Sequence, residues 1–304
     1  MAPNPPAEDR IPLGIVYTLV EVFAFAVMSA LVKATAGDYH VMQIMFFRTF
    51  FAGLVIVPML IRAGGGAALK TNRPWLHIRR SGLGTAVMIL NFLALGMIPL
   101  ADATAIGFTT PLFVTALSVP FLGEKVGLHR WAAVMVGFIG VLIVVEPGVA
   151  PLSAGTLAAL AAASLGAIVF LTVRQMSRTE ASITIVAWFT IVSTLVSTLA
   201  LPFVWKTPSP SDAAMLIATG VLGGIGQITM TNAYRYAPAA VVGALSYTAI
   251  LWASLFGWIF FAQPPSAAVV TGSALVIAAG IYILYRETRR HVALVKPGPI
   301  EPEK

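Results

Sequence analysis

The sequence predicts an all-α integral membrane protein of ten transmembrane helices, arranged as two inverted five-helix repeats. Three observations predict it. The 304 residues are 58% hydrophobic and only 10% charged, with a mean hydropathy of +0.89, whereas a soluble domain carries about 25% charged residues. Too few charges remain to cover a water-facing surface. Apolar stretches of about 20 residues, the length needed to cross a hydrocarbon layer of about 30 Å, recur along the whole chain. The second half of the chain also repeats the first, at an offset of 139 to 141 residues.

Taken in order, residues 1–11 form a polar, proline-rich tail opening with MAPNPPAEDR. The first apolar stretch, 12–36, is too long for a signal-peptide core and lacks a convincing cleavage site, so it is read as a retained span. Spans two and three cover 41–61 and 79–98. The fourth, 101–122, lies within LADATAIGFTTPLFVTALSVPFLGEKV (Leu100 to Val126), which interrupts its apolar run with Gly107, several threonines, Pro111 and Pro120. The fifth, 130–146, completes a first repeat of 12–148. The second repeat, 149–287, holds spans at 153–174, 182–204, 212–234, 238–261 and 266–285, and 288–304 form a second polar tail. The connections are short and leave no room for a soluble domain.

Span four carries the strongest local signal. Each proline removes a backbone donor and bends a helix, and broken helix geometry survives in a membrane only where protein or a water-filled cavity shields it. Span four is therefore expected inside the bundle, curved around a cavity. The second copy has Ser246 and Ile250 where the first has Gly107 and Pro111, so the two halves are expected to bend unequally.

Orientation follows from the basic residues. Of the 19 lysines and arginines, all but Lys33, Arg48 and Lys206 fall in the tails and in the connections after the even-numbered spans. The positive-inside rule then places both termini in the cytoplasm, and binding of basic clusters to anionic lipid would favour the same face.

The repeat is read most clearly by setting ALGMIPLADATAIGFTTPLFVTALSVPFLGEKVG beside AYRYAPAAVVGALSYTAILWASLFGWIFFAQPPS. At an offset of 139, Ala94 meets Ala233, Pro99 meets Pro238, Phe108 meets Tyr247, Thr109 meets Thr248 and Phe113 meets Trp252. Lys33 meets Arg174 at an offset of 141. Five spans per repeat is an odd number, so the second copy enters the membrane from the opposite side. Secondary transporters recurrently use this plan, with a substrate site near the midplane where the halves meet.

These segments, followed by GFIGVLIVV, resemble the repeat of the EamA-type members of the drug/metabolite transporter superfamily over about 12–290. The likeness rests on alanines and other small residues entering span four, Pro111-Leu112 near its middle, the closing Gly123-Glu124 pair, and Gly137 and Gly140 in the next span. The second copy departs from it, with Gln263 at the glutamate position followed by Pro264-Pro265. The resemblance implies ten spans in two inverted repeats and a small-molecule substrate. Among the branches it is most similar to bacterial aromatic amino acid exporters, with carriers of nucleoside-like metabolites such as S-adenosylmethionine close behind.

Charged groups inside a membrane are expensive and mark functional candidates. Glu21 lies about nine residues into span one, roughly 13 Å deep at 1.5 Å per residue, and Arg48 about seven residues into span two, roughly 10 Å from the other side. Glu21 shares a helical face with Phe25 and Met28 at i, i+4 and i+7. Small multidrug exporters related to the resembled family exchange protons on a carboxylate in their first span, which implies the same for Glu21; a helix-bridging glutamate is the competing role. Arg48 reads as a structural or gating ion pair with Asp102 at the outer end of span four, or as an anchor for a substrate carboxylate.

Further candidates are Gln227 at about the depth of Glu21, and Asn91 and Ser164 near mid-bilayer, each equally able to join helices. Phe108, Trp188, Tyr247 and Trp252 lie inside spans rather than in the interfacial belt where tryptophan and tyrosine collect, and offer either a wall for a planar substrate or packing. Pro111 enters as a gating or structural residue.

A polytopic membrane enzyme is the competing function class. Such an enzyme acting on phosphorylated lipid needs clustered carboxylates for magnesium or a paired histidine and aspartate. Of the 12 acidic residues, only Glu21 is well inside the layer. The absence of cysteine excludes disulfides and thiol nucleophiles, and the chain shows no phosphate-binding glycine loop of an ATP-driven pump. The expectation is a carrier without cofactor or metal, working as a monomer in a lipid bilayer, with a small-molecule substrate and a coupling proton, and without nucleic acid.

Overall fold

The computed structural model describes residues 11–122, 128–145, 153–176, 179–237 and 239–294. The described chain is helical throughout: α1 (Ile11–Thr35), α2 (Val41–Arg62), a short 3-10 helix (Gly65–Leu69), α3 (Pro74–Met97), α4 (Leu100–Gly107), α5 (Thr110–Leu122), α6 (Leu128–Val145), α7 (Ala154–Met176), α8 (Ser182–Val204), α9 (Pro210–Tyr236), α10 (Ala239–Ser246), α11 (Ala249–Phe261) and α12 (Ala267–Leu294). Among the described residues seven segments are long and apolar enough to cross a membrane, and α6, α11 and α12 contribute shorter apolar stretches. With α4–α5 and α10–α11 each forming one interrupted span, the helices make ten crossing units.

Local chemistry sets several boundaries. The His40 ring accepts the Met42 N–H at 3.2 Å and starts α2. Ser209 accepts the Asp212 N–H at 3.2 Å, with Pro210 in the first turn of α9. Both devices satisfy donors that a helix start leaves free. Proline suits that first turn because its missing N–H is not needed there. At the other end of α3, the Lys33 ammonium donates to the Leu95 and Ile98 carbonyls at 3.1 and 2.7 Å, a cation on the negative end of a helix.

The packing reproduces an internal two-fold relation in which α1–α6 map onto α7–α12. Helix α1 packs on α9 as α3 packs on α7; α2 on α9 as α8 on α3; α1 on α10 as α7 on α4; and α2 pairs with α8, and α6 with α12, across the relation. Helices α6 and α12 meet backbone to backbone. A Cβ added at Gly140 would lie 2.7 Å from the Gly272 carbonyl oxygen, and one at Gly272 would lie 2.5 Å from that of Gly140. Only glycine permits this approach, the usual device where lipid supplies no hydrophobic drive between helices. The main core surrounds Met45, Leu100, Ala101, Ile106, Leu216 and Ile250 at the centre of the bundle.

Span four lies inside, as expected, with Leu100, Ala101, Ala103, Ala105 and Ile106 buried. The two halves nevertheless break at matching places. Span four breaks at Phe108–Thr109 and span nine breaks at Tyr247–Thr248, the equivalent positions, and both divide into helices of 8 and 13 residues. Pro111 does not kink a helix interior; it stands in the first turn of α5, and α5 continues as helix through Pro120.

Each break is closed by tight i→i−3 bonds: Thr109 N to Ile106 O and Leu112 N to Thr109 O in one, Thr248 N to Leu245 O and Leu251 N to Thr248 O in the other. Threonine hydroxyls add bonds to Gly107 O from Thr110 and to Leu245 O from Thr248. The cause is tertiary. The Phe108 and Tyr247 rings meet 4.9 Å apart where the two breaks face each other, so the crossing of the spans, common to both halves, overrides the local proline and glycine.

Candidate substrate site and the two ends of the bundle

Helix α9 is the platform for the charged residues of the first two spans. Its Gly226 leaves room for the Phe25 ring, and its Gly223 for the Met28 sulfur and the Arg48 guanidinium; an added Cβ at Gly223 would lie 3.3 Å from Met28 Sδ and 3.1 Å from Arg48 Nε. The Glu21–Phe25–Met28 face of α1 therefore lies against α9, with Arg48 entering the same contact from α2. Glu21 is 7% and Arg48 9% exposed. Glu21 Oε2 is buried with no hydrogen-bond partner, and Tyr234, near the end of α9, interacts with this carboxyl group electrostatically. A buried polar group without a partner is costly unless something else supplies one.

The remaining candidates disperse. Gln227 is half-buried in α9 and lines a small open pocket with Ile56, Met59, Ser182, Val186 and Thr231. Phe108 and Tyr247 form the ring contact between the two breaks. Trp252 packs edge-on to Phe23 at 4.9 Å and against Phe256 at 5.7 Å, at the seam of α1 and α11. Ser164 bonds back to Ala161 O at 3.1 Å within α7, and Asn91 is exposed on α3. Asp102, in the first turn of α4, interacts electrostatically with Lys33, while Arg48 is seated between Met28 and Gly223. Trp188 stands at one end of the bundle, where its Nε1 donates to Leu69 O at 3.1 Å and its ring packs 5.5 Å from that of His77. The Gly123-Glu124 pair lies outside the described residues.

Sequence reasoning missed several polar groups. Arg80, by sequence one of the basic residues at the span ends, holds its guanidinium 4.7 Å over the Phe189 ring with Nε and one terminal nitrogen buried and unpartnered. Position 189 is the 141-offset mate of Arg48, so each of the paired contacts α2–α9 and α3–α8 contains a guanidinium, one contributed by α2 and the other by α3. His77 is fully buried, 3.3 Å from Glu180. Among the described residues no group of three or more histidines and acids is placed to hold a metal ion.

Polar contacts also join the repeats at the two ends. At the end opposite Arg62, Arg73 and Arg79, the Tyr39 hydroxyl donates to Asp212 at 2.7 Å. There the Gln43 amide exchanges bonds of 2.7 and 2.9 Å with the Lys206 backbone, and Phe47 stacks on Trp205. The hydrogen bond to the Asp212 carboxylate, and the negative charge of that group, raise the Tyr39 phenol above its ordinary pKa. At the basic end, the Thr71 hydroxyl donates to Glu180 at 2.9 Å and Thr184 donates to Ala68 O at 2.7 Å.

Ten apolar spans, two related halves and a buried carboxyl group at their seam define the class: a polytopic membrane transporter. The chain belongs to the EamA-like transporter family, whose pattern matches it twice, over residues 12–146 and 153–286. It is similar to the pseudopaline exporter of Pseudomonas aeruginosa, 30% identical over 278 residues that cover 90% of this chain and 96% of that protein. It is likewise similar to the S-adenosylmethionine uptake transporter of Rickettsia bellii, 27% identical over 91% of this chain and 95% of that one. The riboflavin transporter of Rhizobium johnstonii is 31% identical over 81% of each chain. A solved crystal structure superposes with a TM-score of 0.65 at 20% identity, covering 92% of this chain and 99% of that one, and shares the fold.

Proposed function

We propose that the chain is a secondary carrier that exports amino acids, aromatic ones among them, across a bacterial inner membrane by alternating access, as a monomer with both termini in the cytoplasm. The observation that supports this reading is the Glu21 carboxyl group, 7% exposed and with an unpartnered oxygen, at the contact of α1 with α9. A site that leaves an acceptor without a protein donor suits a ligand that brings one, whether a substrate ammonium or an exchanged proton. Arg48, on the same α9 platform, supplies the opposite charge for a carboxylate. Aromatic side chains of the neighbouring seam, Phe23, Trp252 and Phe256, suit a planar substituent.

Counterflow in proteoliposomes tests it: labelled tryptophan, phenylalanine or tyrosine should accumulate against an internal load of the same compound. Failure of all three retires the amino acid reading. Relatives named as S-adenosylmethionine uptake transporters, 26–27% identical over nine-tenths of the chain, favour a second reading, in which the cargo joins an amino acid head to a nucleoside. Counterflow of S-adenosylmethionine without that of free amino acids selects it.

A further inference from the structure

The contacts at the two ends of the bundle are mates under the internal symmetry. At an offset of 141, Tyr39 falls on Glu180, Gln43 on Thr184, Phe47 on Trp188 and Thr71 on Asp212. Tyr39 and Asp212 make one hydrogen bond, and Thr71 and Glu180 make the other. The position pair is the same at both ends, with donor and acceptor exchanged between its members. Gln43 and Thr184 both bond the backbone of a connection in the other repeat, at Lys206 and Ala68. Phe47 and Trp188 both close on that connection, through Trp205 and Leu69. Each contact set ties the start of the second helix of one repeat to the approach to, or first turn of, the third helix of the other. Neither set includes Glu21 or Arg48.

We infer that Tyr39–Asp212 and Thr71–Glu180 are the two gates of the transport cycle, symmetry-related fastenings that open one at a time to expose opposite ends of the path between the repeats. The inference rests on the alternating-access reading above. Fastenings that both join repeat to repeat, at opposite ends of one bundle, are the contacts a rocking motion of the halves has to break. Both are made in this structure, so the described state is held at each end. Loss of one bond favours the conformation open at that end over the one open at the other, and the ratio of the two openings shifts by the factor that the lost bond contributed.

The chain has no cysteine, which makes single-cysteine reporters straightforward. Ser81, one turn inward of His77, and Thr219, two turns inward of Asp212, are both fully buried, and their near-isosteric Cys variants report the basic and the opposite end. The full chain in nanodiscs, exposed on both faces, is labelled with a membrane-impermeant maleimide. Tyr39→Phe should raise labelling of Thr219→Cys and lower that of Ser81→Cys, the ratio of the two changing by about ten-fold or more, the shift that follows loss of one charge-assisted bond. Glu180→Ala should do the reverse, and Thr71→Val, which removes the same bond with less change, should agree with it. Labelling that rises only at the altered end, rises at both, or changes at neither overturns the inference. Counterflow of the same variants in proteoliposomes separates the two claims. Reciprocal labelling in a protein that carries none of the tested cargo sinks the substrate reading and leaves the gates standing; transport without reciprocity sinks the gates alone.

Discussion

At the scale of single residues, function concentrates where burial and unsatisfied chemistry coincide. Glu21 is the sharpest case, and Glu21→Gln tests it with little change of volume. If the carboxylate holds a substrate ammonium, the variant loses a charge-assisted bond of about 1.5–3 kcal/mol, so transport at low substrate falls about ten-fold or more. If it exchanges a proton, the residual flux loses its dependence on pH; undiminished flux with an unchanged pH profile would assign Glu21 to packing alone. Arg48→Lys is a second probe. Lysine keeps the charge and loses the planar fork, so a carboxylate anchor predicts a raised substrate requirement in counterflow with a helix content, by circular dichroism, equal to that of the parent. Glu21 and Arg48 were legible in the sequence because a charge inside an apolar run stands out. Tyr39, Asp212, Thr71 and Glu180 were not, because polar residues at span ends are ordinary, and only their spacing of 141 distinguishes them.

At the scale of elements, the boundaries of most spans follow from apolar length, since a helix leaving the membrane meets charge, proline or glycine. The breaks at Phe108–Thr109 and Tyr247–Thr248 do not follow from local sequence. Gly107 and Pro111 drew attention to one of them, but the other half breaks equally with Ser246 and Ile250 in their places. The signal lay in the alignment of Phe108-Thr109 with Tyr247-Thr248, two aromatic–threonine pairs that face each other across the symmetry. A side chain at Gly107 would meet nothing within 4 Å, so Gly107→Ala should leave the melting temperature and the flux unchanged. Gly140→Ala should behave differently. Its Cβ would press on the Gly272 carbonyl, and overpacking of this kind costs about 1–3 kcal/mol, read as a clear fall in melting temperature in detergent. Gly82→Ala, in open space, is the matched control. Equal melting of Gly140→Ala and Gly82→Ala would mean that the α6–α12 crossing is loose.

At the scale of the whole molecule, the decisive property is that two halves of one fold are related residue by residue while their chemistry has diverged. The packing pairs α1–α9 with α3–α7, yet Glu21 and its unpartnered oxygen lie only on the first. The frame is therefore symmetric and the site is not. Symmetry serves the motion, because two equivalent arrangements of the halves give two openings; asymmetry serves recognition, because a small substrate has no two-fold axis. This division carries a prediction about direction in the membrane. Five spans per repeat put 12 and 153, the starts of the two family matches, on opposite faces, and put both termini on one. Reporter fusions after Lys304 and before Met1, one active only in the cytoplasm and one only outside it, should both report cytoplasm. A single-cysteine tag at Gly37, which is exposed between α1 and α2 with open space around it, should label from the outside in intact cells, and one at Gly66, between α2 and α3, should not. Labelling of Gly66 but not Gly37 reverses the orientation while keeping the repeats inverted. Termini on opposite faces would mean an odd number of crossings, and no inverted pair of five-span repeats survives that result.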